Sequence, residues 1–279
     1  MHFAHDTQFQ KLLRGEADID VVALLLEYAR DAYPDLDPEP TREALDALGD
    51  QARSRLQNLP TTAHDADRLR TLSRFLYQTV GFRGNDAEYY HPDNSYLNVV
   101  VERRLGIPIS LGIVYMAIAE RAGISMFGIG APGHFVIGRR TEDDEVWYVD
   151  PFTAGKVLDR EGCFSAVEER LGEDGVLDAE HLRPATNVEI AVRVLRNLKA
   201  CHVMRDDWRA ALPVQRRIAL LEPETLAEQR DLGLISLRAG DPREARKLLE
   251  VYSAQSPAAE QAELERYIKA ARRMSAELN

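Results

Sequence analysis

The chain has 279 residues, room for more than one packed core at ~100–200 residues per domain. With 45% hydrophobic and 29% charged residues it has the composition of a folded globular protein rather than a disordered one. Its formal charge of −11 argues against nucleic acid or an anionic membrane as the main partner, because both select clustered positive charge.

Apolar residues recur at helical spacing from Phe3 to Leu13 and from Ile19 to Ala32, where Val22, Leu25, Leu26 and Ala29 make one face of an amphipathic helix. Pro34, Pro38 and Pro40 end it, since proline lacks the amide donor and restricts the residue before it. Thr41 is the expected cap of a second helix through Leu45, Leu48, Ala52 and Leu56. A third helix is expected from Ala66 to Val80, with Leu69, Leu72, Phe75 and Leu76 on one side. Nothing in this third of the chain carries chemistry, and His64 reads as a surface residue.

Two glycines, Gly81 and Gly84, then allow the chain to turn into Tyr89-Tyr90-His91-Pro92-Asp93-Asn94-Ser95-Tyr96-Leu97-Asn98. This mixture of rings and amides fits two descriptions equally: the edge of a site, with Tyr90, Asn94 and Asn98 touching substrate, or a helix start capped by Asp93 or Ser95 among packed tyrosines. A short helix follows and ends near Leu105-Gly106. Pro108 suits the first position of the next helix, where its missing N–H would be unsatisfied in any case. The run from Leu111 to Ala119 is apolar on every face, so this helix is expected to be buried all round. Its N-terminus would present unpaired amides and partial positive charge to whatever lies in front of it.

Gly123 closes that helix. Strands are expected at Met126–Gly130, at His134–Ile137 and at Val146–Asp150, the last two flanking the polar turn Thr141–Asp144. If His134 pairs with Asp150, Gly138 pairs with Val146, and the imidazole and carboxylate share one face. A slip of one residue would separate them. A carboxylate beside an imidazole fixes its tautomer, either as a structural bond or as part of a catalytic set.

From Tyr89-Tyr90 through Asn98, at Arg103-Arg104-Leu105-Gly106-Ile107-Pro108-Ile109-Ser110-Leu111, at Pro132-Gly133-His134-Phe135 and at Asp150-Pro151-Phe152, the chain resembles the SirB-type transglutaminase-like proteins, bacterial chains that join this core to a tetratricopeptide region. The resemblance implies a Cys–His–Asp triad with the thiol at the start of the buried helix. His134 and Asp150 match two of its members. The pattern ahead of the helix overlays on Gly106-Ile107-Pro108, so proline stands in the nucleophile's place. Ser110 is the alternative nucleophile, with helix capping as its other role.

Only two cysteines occur, Cys163 and Cys201, which is neither a disulfide framework nor a zinc set. Both read as structural. With no apolar run approaching ~18 residues and no leader after Met1, a cytoplasmic protein is expected, without metal or cofactor. A charged helix around Phe164 to Leu171 and a polar connector from Gly172 to Pro184 lead into repeats. Asp207 recurs as Asp241, Ala211 as Ala245, Leu198 as Leu232 and Pro223 as Pro257, every pair 34 residues apart. That period is the tetratricopeptide signature. It predicts helical hairpins over Val188–Pro223 and Glu224–Pro257, with a capping helix from Ala259 to Leu278.

The expected fold is therefore α+β and mostly helical: a small antiparallel sheet packed on a buried central helix in a transglutaminase-like core, plus C-terminal α-helical repeats. The expected division is 1–60, 61–185 and 186–279. Two functions fit. One is a non-enzymatic or degenerate module that binds a protein or peptide, in a regulatory role. The other is a hydrolase or acyl-transfer enzyme using His134 and Asp150 with Ser110 or an activated water.

Overall fold

The structure, a computed structural model, describes residues 3–171 and 178–277. The first part of the connector expected from Gly172, and the Leu278 end of the last helix, lie outside the described residues. Two compact units follow each other along the chain, one ending at Val194 and the other beginning at Leu195.

In the first unit α1 (Thr7–Leu13), α2 (Val21–Ala29) and α3 (Glu39–Gln57) come first. Here α2 forms where its apolar spacing predicts, but it is not buried on one face alone. It packs against α1 and against two later helices, α5 (Leu97–Arg103) and α6 (Pro108–Arg121), and seven of its nine residues are buried. Its buried Glu27 is explained by a cap: the carboxylate accepts the free N–H groups of Gln8 (2.8 Å) and Phe9 (2.9 Å) at the start of α1. Nor does Thr41 cap α3. The helix begins two residues earlier, with Asp37 accepting from the Glu39 N–H at 3.0 Å and Pro40 in the first turn, where prolines are tolerated. Thr41 is buried inside the helix.

The expected third helix divides into α4 (Asp65–Ser73) and a π-helix over Arg74–Val80, which Gly81 ends at φ +92°. A wider turn of this kind often marks a functional segment. Next come two short strands, β1 (Arg83–Gly84) and β2 (Leu105–Gly106), paired in parallel with Gly84 opposite Gly106. Between them lie a 3-10 turn at Pro92–Asn94 and α5. Neither Asp93 nor Ser95 caps α5. Asp93 instead accepts from the Tyr33 hydroxyl at 2.9 Å and pairs with Arg103 at 3.2 Å.

The central helix α6 is buried all round as its composition predicts, with Pro108 in its first turn. It packs against β3 (Phe127–Ile129) and β4 (Val136–Arg140) of an antiparallel sheet ordered β3-β4-β5-β6, completed by β5 (Val146–Asp150) and β6 (Lys156–Leu158). Close approach needs small residues. A Cβ at Gly112 would lie 2.9 Å from the Phe135 ring, and one at Gly128 would lie 2.6 Å from it. Phe135 thus sits between helix and strand like a key. On another side of the sheet α7 (Arg160–Leu171) covers β5 and β6, closing an apolar cluster of Ile129, Val136, Tyr148, Leu158 and Cys163.

After a 3-10 turn at Ala179–Leu182 comes α8 (Asn187–Met204). The second unit adds α9 (Trp208–Leu221), α10 (Leu226–Ala239), α11 (Pro242–Ser253) and α12 (Ala258–Glu277), each packed on the next. The sequence period has a direct structural cause. Asp207 and Asp241 are equivalent N-caps, accepting from Ala210 N–H at 3.1 Å and Glu244 N–H at 3.2 Å. Ala211 and Ala245 are both fully buried at the helix crossings.

Candidate functional site

His134 follows the turn Ala131-Pro132-Gly133, where Gly133 adopts φ +66° and the His134 N–H bonds back to the Ala131 carbonyl at 3.1 Å. Asp150 is the last residue of β5, stopped by Pro151. The register, which the sequence leaves open, is not the one of direct His134–Asp150 pairing: Gly138 lies opposite Tyr148, not Val146, and Ile137 opposite Val149. The displacement is two residues, an even number, so the faces are preserved. His134 Nε2 lies 3.0 Å from Asp150 Oδ2, with side chains 0% and 3% exposed. The two atoms are at ion-pair distance without the alignment of a hydrogen bond.

The turn after β5 is wound around the Asp150 carboxylate. Oδ1 accepts from the N–H groups of Phe152 (2.9 Å) and Thr153 (3.1 Å), and Oδ2 accepts from the Thr153 hydroxyl at 2.8 Å. Burial by itself would raise the carboxyl's pKa. The facing His134 imidazole and the Thr153 donors outweigh burial and hold it at about 2. Tyr77, from the π-helix, donates to the Pro151 carbonyl at 2.7 Å; its phenol is pushed upward by burial, then by Tyr115 and the Asp150 charge. The π-helix thus supports the turn that presents Asp150.

At the tip of α6, Ser110 accepts from the Ile107 N–H at 3.0 Å, and its one proton goes to the Asn94 carbonyl, 2.5 Å away. The hydroxyl also lies 3.1 Å from the Ile107 carbonyl. It is fully buried, and a Cβ at Gly106 would come within 2.6 Å of its oxygen. Ser110 closes a capping arrangement rather than meeting His134. The other imidazole nitrogen, Nδ1, has no hydrogen-bond partner among the described residues.

Of the three residues expected to touch substrate, only Tyr90 lies open, 55% exposed and edge-on to Tyr89 at 5.2 Å. Asn94 is fully buried. Its Nδ2 donates to the carbonyls of Glu88 (2.7 Å) and Tyr89 (3.1 Å), and its Oδ1 accepts from Asn85 at 3.0 Å, so it knots the tyrosine loop to the helix tip. Asn98 is half-buried on α5, with a buried Oδ1 that has no hydrogen-bond partner among the described residues. The knot reaches the turn around Asp150 through rings: Tyr89 packs on Phe152 with centroids 5.9 Å apart, and Phe152 sits against Gly84, where a Cβ would be 2.6 Å from its ring.

Two arginines were not foreseen. Arg193 of α8 donates to the carbonyls of Ala131 (3.0 Å) and His134 (2.7 Å), clasping the turn from outside. Arg170 of α7 reaches within 3.9 Å of Asp150 Oδ2 and bonds Thr153 Oγ1 at 3.3 Å, over the Phe152 ring at 5.4 Å. Nothing local signals either one, since the first contact spans 59 to 62 residues. Cys163 is buried in the apolar cluster, its thiol pushed up to about 12 by burial and by the Asp150 charge; burial raises Cys201 to about 11. Neither offers a thiolate at neutral pH. Among the described residues no group of three or more His, Cys, Asp or Glu is placed to hold a metal, and no helix is long and apolar enough to cross a membrane.

Residues 39–196 match the transglutaminase-like superfamily, and residues 198–270 match the tetratricopeptide repeat. A UPF0162 protein from Xylella fastidiosa strain Temecula1 is 35% identical over 241 residues, covering 84% of this chain and 84% of its own. The UPF0162 protein YchA of Escherichia coli K12 is 26% identical over 212 residues, 76% of each chain. Human F-box only protein 21 is 32% identical over 102 residues, which is 34% of this chain and 16% of that protein. No solved structure matches.

Proposed function

The chain belongs to the transglutaminase-like superfamily, among its UPF0162 members with tetratricopeptide repeats, and from that premise we propose that it is a peptide- or protein-binding module that no longer performs acyl transfer. The observation that carries this reading is the fate of the Ser110 hydroxyl. Its proton is committed to the Asn94 carbonyl and its lone pair to the Ile107 N–H, while Pro108, with no nucleophilic atom, takes the first turn of α6. An attacking hydroxyl has to give its proton to a base within hydrogen-bond reach.

What remains is a surface suited to holding a chain segment. The aromatic rim of Tyr89, Tyr90 and Phe152 gives apolar contact, and the buried His134–Asp150 pair fixes the turn beneath it. Stacked helical hairpins form extended surfaces of the kind used to hold partner proteins, which supports a protein partner for the repeats as well.

The hydrolytic alternative, in which His134 activates a water, is favoured by one observation, the unpartnered Nδ1. Turnover of p-nitrophenyl acetate, a thioester and a peptide amide by the full chain and by His134→Ala separates the two. The binding reading expects equal background rates. A rate lost in His134→Ala, in a protein whose melting temperature is retained, would establish the enzyme instead.

A further inference from the structure

Two guanidinium groups bracket the His134–Asp150 pair. Arg193 holds the His134 carbonyl at 2.7 Å, and Arg170 stands 3.9 Å from Asp150 Oδ2. Arg170 therefore faces the Asp150 carboxylate while Arg193 faces backbone carbonyls, in a chain whose overall charge is −11. Arg193 is the more unusual. It is half-buried, it spends its bonds on two neutral carbonyls, and among the described residues it has no carboxylate partner. Withdrawing a cation from water without a counter-charge is unfavourable, and clasping two carbonyls is a task that a neutral donor performs at lower cost. Its pKa is lowered by that burial, and the Tyr89 phenol lies near enough to act on it.

Aromatic rings run from one cation toward the other. Arg170 lies over Phe152, Phe152 packs on Tyr89, whose phenol is near enough to act on Arg193, and Tyr89 packs on the exposed Tyr90. Cationic and aromatic groups therefore lie together beside the His134–Asp150 pair. Guanidinium forks match carboxylates with two parallel bonds, and rings accept the apolar side chains between them.

We propose that the occupant of this rim is an acidic peptide, whose carboxylates meet Arg193 and Arg170 while intervening apolar side chains lie on Tyr89, Tyr90 and Phe152. The proposal rests on the binding reading above and adds the chemistry of the ligand. Carboxylate engagement supplies the negative charge that Arg193 lacks among the described residues. It also sets a direction for specificity: basic and neutral segments are rejected because they leave the half-buried guanidinium uncompensated.

The test is a selection from a phage-displayed random dodecapeptide library on the full chain, with the library first depleted on the double variant Arg170→Gln/Arg193→Gln. Arg170→Gln alone, at an exposed position, serves as a second depletion target if the double variant does not fold. The expected result is a surviving pool enriched at least about threefold in Asp and Glu. A synthetic peptide from it should bind at least tenfold more weakly to Arg170→Gln, the loss expected for one charge-assisted hydrogen bond, and more weakly in 300 mM than in 50 mM NaCl. A surviving pool with no acidic enrichment, or an empty one, overturns the proposal. The undepleted pool then tests the parent reading separately: binders lost in Tyr90→Ala keep the cleft as a peptide site, and the absence of such binders removes it.

Discussion

The Ser110 hydroxyl ends on the Asn94 carbonyl, 2.5 Å away and sixteen residues earlier in the chain. That bond joins the tip of the central helix to the tyrosine loop, and it determines what the serine can do. Ser110→Ala should therefore act as a stability mutation. It strands a buried carbonyl and a buried N–H, which costs about 1–3 kcal/mol. Urea unfolding of the pair of proteins checks this. An unchanged midpoint would mean that the hydroxyl is not part of the packing.

Asp150 makes stability depend on pH in a definite direction. Its carboxyl is held at about 2 in the folded chain, against roughly 3.9 when unfolded. A depressed folded value stabilises the fold above the unfolded value, so the contribution is fully present at neutral pH and is lost as pH falls from about 4 to 2. The amount is roughly 2 kcal/mol. Asp150→Asn should lose that stability at pH 7 and flatten the acid limb of the unfolding curve. Parallel acid limbs for the two proteins would contradict the assignment.

Helix and sheet approach closely at one glycine. Gly112→Ala places a methyl 2.9 Å from the Phe135 ring, which is itself pinned against Gly128. With no room to yield, overpacking should cost about 1–3 kcal/mol. Because Phe135 adjoins His134, one-dimensional NMR should also show a shifted imidazole signal. A stability equal to that of the unaltered chain would show that the ring can move.

In the repeats, Asp207→Ala and Asp241→Ala each remove the side-chain acceptor of a helix N-cap. Each should destabilise the second unit by about 1 kcal/mol. Thermal melts of the single and double variants measure it, and a null effect at both positions would contradict the equivalence of the two caps.

These consequences differ in how far the sequence foretold them. The buried helix α6 and the repeats were legible because their signals are local: an apolar run after Pro108, and residues recurring at 34-residue spacing that prove to be caps and crossings. The His134–Asp150 contact was legible through parity alone. The register itself was open in the sequence, and direct pairing is missed by two residues because the Ala131–Gly133 turn and not the strand carries His134. Fold-wide contacts left no trace in any window. Arg193 finds His134 across 59 residues, and Glu27 looks like a misplaced charge until α1 folds onto it. Asn94 drew attention for its polarity, but that polarity is spent on Glu88, Tyr89 and Asn85.

The proposed loss of the nucleophile is tested most directly by intact-mass analysis after exposure to a fluorophosphonate and to an acyl-electrophile probe at neutral pH. The account predicts an unmodified mass for the full chain, with Ser110 tethered at the helix tip and both cysteines protonated. A stoichiometric adduct mapped to Ser110, and abolished by His134→Ala, would contradict it.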